Sequence, residues 1–333
     1  MKAMVLYERK PVEEDPLILK EVNNPEPKKG EVRIKVKACG VCRTDLHVVE
    51  GELPPVRTPI IPGHEIVGIV DLLGEGVSRF KIGDRIGIAW LRHTCGTCVY
   101  CQANQENLCE NALFTGYHAD GGYAEYAVVP EDYAYPIPEI FSDEEATPLL
   151  CAGIVSFHAL RRSRIRPGER LGIYGFGSSA HIIMQVALHW GCKVFVATRG
   201  KEHKKMAKEM GAVWVGDVYE EFPEKMDSSI IFAPAGELVP HALCSLRKGG
   251  TLALAGIYMT SIPSLDYEKH IFYERDLRSV TANTRQDGID FLKEAAEIPI
   301  KPKIIPFPLE EANTVLKTLK GKGFKGTGVL VMR

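Results

Sequence analysis

Apolar residues in the first ~145 positions come in short runs that glycine and proline interrupt. VRIKVKACG (32–40), EIVGIVDLLGEG (65–76) and DRIGIAW (84–90) are rich in Val and Ile, which suits the strands of a β barrel or rolled sheet. Past residue 151 the texture changes. RLGIYGFG (170–177), KVFVATRG (193–200), DSSIIFAPAG (227–236) and GGTLALAGI (249–257) are apolar strand patterns, each ending near a glycine. SAHIIMQVALHW (179–190) and KEHKKMAKEMGA (201–212) lie among them with helical spacing. Strands that alternate with helices predict a parallel, doubly wound sheet, so the chain is of the α/β class. The tail is mixed again: FLKEAAEI (291–298), a Pro-rich stretch, a helical TVLKTLKGK (314–322) and a strand TGVLVM (327–332). It is expected to rejoin the first domain. The domains are then 1–150, an inserted 151–284, and a return over 285–333.

At 333 residues there is room for two cores. A net charge of -2 announces no basic face, which argues against nucleic acid as a partner. No apolar run approaches the ~18 residues of a membrane span, and the opening MKAMVLYERK has no secretory apolar core. The expectation is a cytoplasmic protein without membrane contact. In that compartment nine cysteines point to metal rather than to disulfides.

Four of them, Cys95, Cys98, Cys101 and Cys109, follow the spacing C-x2-C-x2-C-x7-C in a lobe over about 90–112. Such a set can surround one tetrahedral ion, and four thiolates make a closed, structural zinc site. Cys42, His64 and Cys151 are three further candidate donors. Three protein ligands leave a fourth position open, the pattern of a catalytic zinc. Cys39, Cys192 and Cys244 are expected to be buried, inert thiols.

A dinucleotide fingerprint follows the first strand of the inserted domain: Gly175-Phe176-Gly177-Ser178-Ser179-Ala180. Gly175 makes the turn, Gly177 lets backbone approach a pyrophosphate, and Ala180 permits close packing of helix on strand. The helix start then offers free N–H groups to the anion. At the end of the next strand, where an NAD site expects an acid, stand Thr198 and Arg199. Thr198 does not repel a 2′-phosphate and Arg199 can pair with one, which favours NADP(H) with NAD(H) as the alternative.

The segments Cys39-Gly-Val-Cys42-Arg-Thr-Asp-Leu-His47, Pro62-Gly-His64-Glu65 and Pro148-Leu-Leu-Cys151-Ala-Gly, taken with the cysteine lobe and the glycine loop, resemble the zinc-containing alcohol dehydrogenases of the medium-chain dehydrogenase/reductase superfamily. The resemblance spans nearly the whole chain and is similar to a bacterial or archaeal, cinnamyl-alcohol-dehydrogenase-like branch. Val155 and Thr327 depart from it, standing where many relatives carry Thr and Arg.

It implies a GroES-like catalytic domain with an inserted Rossmann domain and two zinc ions per subunit. Cys42, His64 and Cys151 would bind the catalytic ion, Glu65 would sit behind it and Asp45 would orient His64. Thr44 would accept the alcohol proton and pass it by the cofactor ribose to His47. Arg43 would contact the pyrophosphate, and Leu53 and Trp90 would line the substrate cleft. The expected reaction is hydride transfer between a nicotinamide and a primary or secondary alcohol (or its aldehyde or ketone) held at zinc. Alternatives are a polyol or amino-alcohol dehydrogenase of the same fold and a non-catalytic nucleotide-binding relative. By analogy of chain length, the assembly would be a homotetramer.

Overall fold

Glu31–Val41 shows why β-branched residues at every second position make a strand. In the computed structural model, which describes residues 1–54, 56–298, 300–321, 323 and 326–332, Val32, Ile34 and Val36 are buried while the residues between them are not. From Ala38 onward every position is buried, where the strand runs toward Cys42. Strands Ile304–Pro308, Thr327–Val331, Glu31–Val41, Glu65–Leu73, Arg85–Ile88 and Ala134–Pro136 lie side by side in that order, and Tyr126–Pro130 pairs with the first half of Glu31–Val41. Ile66, Ile86 and Ile88 are fully buried beneath this mixed sheet.

These strands belong to one compact unit, Met1–Cys151 with Asn283–Ala296 and Lys301–Arg333. A second unit, Ala152–Ala282 with Glu297–Ile300, interrupts it. Its limits fall within two residues of 150/151 and 284/285, and Glu297–Ile300 is a return excursion that texture alone does not show. In the tail, the helices Arg285–Glu297 and Ala312–Lys320 cover the helical patterns, with Lys322 outside the described residues.

The second unit holds a parallel sheet in the order Trp214–Gly216, Lys193–Ala197, Arg170–Tyr174, Met226–Ile231, Leu246–Leu254 and Asp276–Ser279. The chain winds outward from Arg170–Tyr174 on one side, then restarts on the other at Met226–Ile231. That reversal is the switch point at which doubly wound sheets bind nucleotides, and Gly175 follows it directly. Trp214–Gly216 and Asp276–Ser279 had no apolar run to announce them, being three and four residues long.

Candidate functional site

Cys42 ends the strand Glu31–Val41 and caps the helix Arg43–Glu50. Its N–H donates to Asp45 Oδ2 at 2.9 Å, while its Sγ accepts the Thr44 N–H at 3.3 Å. The helix therefore starts on a reciprocal cap with sulfur in place of a hydroxyl. The other Asp45 oxygen, Oδ1, is 2.8 Å from His64 Nδ1, and both side chains are buried. A carboxylate only accepts, so Nδ1 donates, which leaves Nε2 as the nitrogen turned toward the sulfurs. Nε2 lies 3.4 Å from Cys151 Sγ, and Cys151 Sγ lies 3.8 Å from Cys42 Sγ.

The donor atoms of Cys42, His64, Glu65 and Cys151 all lie within 4.8 Å of one another. Around a tetrahedral zinc, with bonds of about 2.3 Å to sulfur and about 2.0 Å to nitrogen, S···S and N···S edges are about 3.8 and 3.5 Å. The side chains are spaced to that pattern. Hydrogen bonding from Cys151, then the charge of His64, holds the Cys42 thiol well below its usual range. Cys151, half-buried and giving that hydrogen bond, is pushed up, first by the bond and then by loss of hydration, so the pair yields one proton readily and keeps the other. Burial opposes charge on His64, but Asp45 and Cys42 outweigh it and raise the imidazole well above normal. Burial and the Cys42 charge also raise Glu65. Glu65 Oε2 is buried over Gly40 without a hydrogen-bond partner among the described residues, and a Cβ added at Gly40 would stand 1.9 Å from it.

The lobe cysteines form a second cluster with donor atoms within 4.8 Å. Cys95 Sγ is 3.9 Å from Cys101 Sγ and 3.6 Å from Cys109 Sγ, again near a tetrahedral edge. Backbone N–H groups of Thr97 and Cys98 hold the Cys95 thiol down to about 5. Of the other thiols, Cys39 and Cys192 are buried, whereas Cys244 is half-buried and so departs from expectation.

Thr44 is buried, one residue from the sulfur it supports. His47 Nδ1 meets the Glu52 carboxylate. Trp90 stands edge-on to His64 at 5.0 Å and stacks on Phe114 at 4.9 Å and on Tyr117 at 5.9 Å. Leu53 is half-buried at the margin of the same core. Arg43 is exposed and reaches Leu319 O at 3.4 Å.

In the second unit Gly175 turns at φ 87°, and a Cβ there would meet Ala233 N at 3.0 Å. Gly177 caps the helix Ser178–His189, with no atom within 4 Å of an added Cβ. Phe176 is buried, so only its backbone serves the loop; Ser178 and Ser179 are half-buried, and Ala180 packs inward. Thr198 is buried with its hydroxyl on Arg199 O at 3.5 Å, and Arg199 is exposed.

Residues 28–139 match the model of the alcohol dehydrogenase GroES-like domain, and residues 180–297 that of the zinc-binding dehydrogenases. The chain is 47% identical to a probable alcohol dehydrogenase AdhA of Mycobacterium tuberculosis, covering 97% of this chain and 94% of that one. It is 38% identical to an alcohol dehydrogenase of Geobacillus stearothermophilus, covering 97% of each. The chain belongs to the zinc-binding alcohol dehydrogenases. It is an oxidoreductase of α/β fold with a GroES-like and a Rossmann part. A solved structure of CAD from Helicobacter pylori, complexed with NADP(H), has a similar fold. It is 26% identical with a TM-score of 0.88, over 99% of this chain and 97% of that one.

Several side chains of this alcohol dehydrogenase were not singled out from sequence. Gly40 makes room for Glu65, Phe114 and Tyr117 fix the plane of Trp90, and Glu52 bonds His47. Glu237, whose carboxyl is held low first by its own backbone and Thr260 and then by Arg199, is a fifth. The one available signal was an acid just past a glycine that ends the helix of His47.

Proposed function

We propose that this alcohol dehydrogenase interconverts primary or secondary alcohols with aldehydes or ketones, using zinc held by Cys42, His64 and Cys151 and favouring NADP(H) over NAD(H). The observation that carries the reading is the tetrahedral spacing of those three donors, with Asp45 fixing the tautomer of His64. Zinc supplies a Lewis acid that makes the alcohol O–H more acidic, while the nicotinamide takes or gives the hydride. Cys95, Cys98, Cys101 and Cys109 would hold a second, closed ion whose binding contributes folding energy.

The remaining roles fall to this chain's own groups. Asp45 holds His64 by Nδ1 and so aims Nε2 at the donors, Glu65 stands beside them, and Trp90 with Leu53 limits where the alcohol carbon can lie. The Thr44 hydroxyl receives the proton and His47 carries it outward. Gly175, Gly177 and the start of Ser178–His189 offer N–H groups to the pyrophosphate, helped by Arg43. Thr198 and Arg199 favour the 2′-phosphate. Cytoplasmic location and a homotetramer complete the proposal.

The test is zinc content and the near-ultraviolet absorbance of reduced nicotinamide with benzyl alcohol, NADP and NAD side by side. The reading expects two zinc per chain, one in Cys151→Ala, and reduction lost in that variant while nucleotide binding persists. Undiminished turnover or two zinc in Cys151→Ala would remove it. His47→Ala should turn over slowly and recover in part with added buffer base.

A further inference from the structure

Helix Arg43–Glu50 ends at Gly51, and the chain folds back so that the Gly51 N–H and the Glu52 N–H, the latter at 3.0 Å, both donate to His47 O. This turn brings the Glu52 carboxylate onto His47 Nδ1. The two side chains differ in exposure: His47 is 14% exposed and Glu52 55%. The other ring nitrogen, His47 Nε2, is buried with no hydrogen-bond partner among the described residues. The imidazole thus presents a bare nitrogen inward and a bonded nitrogen to a carboxylate that water reaches.

Arg9 packs its side chain against Gly51, and its Nε has no hydrogen-bond partner among the described residues; the other charges near the turn are engaged elsewhere. Glu50 accepts the Val12 N–H at 2.9 Å and Lys320 at 2.8 Å. Lys320 also binds Glu13, and Lys317 binds Asp15. Glu52 is the carboxylate left for the ring.

We propose that Glu52 is the exit of the proton relay, a positioning residue acting through His47; this rests on the relay reading above. The alcohol proton arrives on His47 Nε2, forming an N–H bond. The Nδ1–H bond then breaks as its proton passes to a Glu52 oxygen, and the carboxylic acid releases it to water or buffer. The ring returns to its starting tautomer by proton exchange with water, Nδ1 gaining one proton as Nε2 loses one. One proton leaves for each alcohol oxidised, and in aldehyde reduction the same steps run inward. In the resting ring the carboxylate accepts from Nδ1, which keeps Nε2 free to receive.

The experiment is benzyl alcohol oxidation near neutral pH at low buffer concentration and then with increasing buffer base. Replacing the base but keeping its shape, Glu52→Gln should lower kcat about tenfold with KM unchanged, since general-base steps contribute 10²–10⁴-fold and water partly substitutes at this outer position. Buffer base should restore the rate, and Glu52→Asp should retain most of it. Glu50→Gln should stay insensitive to buffer, as the parent is. In a His47→Asn background, Glu52→Gln should cause no further loss. A parental kcat in Glu52→Gln, or a loss that buffer does not restore, overturns the proposal. If His47→Asn shows a buffer-restored loss and Glu52→Gln does not, the exit alone is wrong; if His47→Asn is parental, the relay reading falls and the exit with it.

Discussion

Asp45→Asn changes one atom beside the proposed zinc ligands and should weaken the hold on one of the two proposed zinc ions. Both carboxylate oxygens of Asp45 accept, one from His64 Nδ1 at 2.8 Å and one from Cys42 N–H at 2.9 Å. An amide offers one acceptor and one donor, so it cannot serve both. Either the amide N–H faces Cys42 N–H, or it donates to His64 Nδ1 and moves the ring proton to Nε2, the nitrogen facing Cys151. A buried donor left unmatched costs about 1–3 kcal/mol. Loss of a partner that orients a ligating histidine lowers metal affinity about 10–100-fold, or roughly 1.4–2.7 kcal/mol. The assay is release of zinc to a graded chelator with a colorimetric readout. The four-cysteine lobe serves as an internal reference, because its donors form a cluster separate from the one that Asp45 supports. One equivalent should leave at about 10–100-fold lower chelator strength than in the parent, the other unchanged. If both equivalents leave as in the parent, the orienting role of Asp45 is refuted.

Gly40→Ala places a methyl 1.9 Å from Glu65 Oε2, so it should cost about 1–3 kcal/mol in denaturant melts, with less loss in a Glu65→Ala background. Cys101→Ser should lower thermal stability and leave one zinc, measured by calorimetry and metal analysis. Burial would raise Asp227, but hydrogen bonds from Arg170 and Arg247 hold its carboxyl at about 2. That depressed value contributes about 2 kcal/mol, present in full above pH about 4 and lost as pH falls toward 2. Asp227→Asn should therefore be less stable at neutral pH and show a flatter acid limb in urea titrations. Arg199→Ala should weaken NADP more than NAD by about tenfold in KM, and equal effects on both would argue against a 2′-phosphate contact.

How much could be read from sequence depended on how locally each feature is built. The cysteine lobe sits within fifteen positions, so spacing alone brings its donors within reach of one ion. Gly175 to Ala180 is equally local, a turn between a strand and a helix. The set of Cys42, His64 and Cys151 is not. Cys42 and Cys151 lie 109 residues apart and meet through the packing of the first unit, so their grouping came from motif resemblance rather than from spacing. Contacts made across strands left no trace. Gly40 pairs with Glu65 in the register of Glu31–Val41 against Glu65–Leu73, and only that register shows why it carries no side chain. Phe114 and Tyr117 reach Trp90 from a separate segment in the same way.

The eight-residue helix Arg43–Glu50 explains why so many of the singled-out positions fall close together. Its N-cap is a thiol that receives the Thr44 N–H and lies at the positive end of the helix, a setting that favours the thiolate. Successive residues turn by about 100°, so Thr44 and His47, three apart, share a face, while Asp45 points aside to His64. The αL turn at Gly51 then returns Glu52 to His47. The cap, the carboxylate on His64 and the proposed proton acceptor and exit are thus all placed by the pitch of one helix and the turn that ends it. A change that unwinds its first turn should disturb the metal site and the relay together, whereas a change at Glu52 reaches the relay alone.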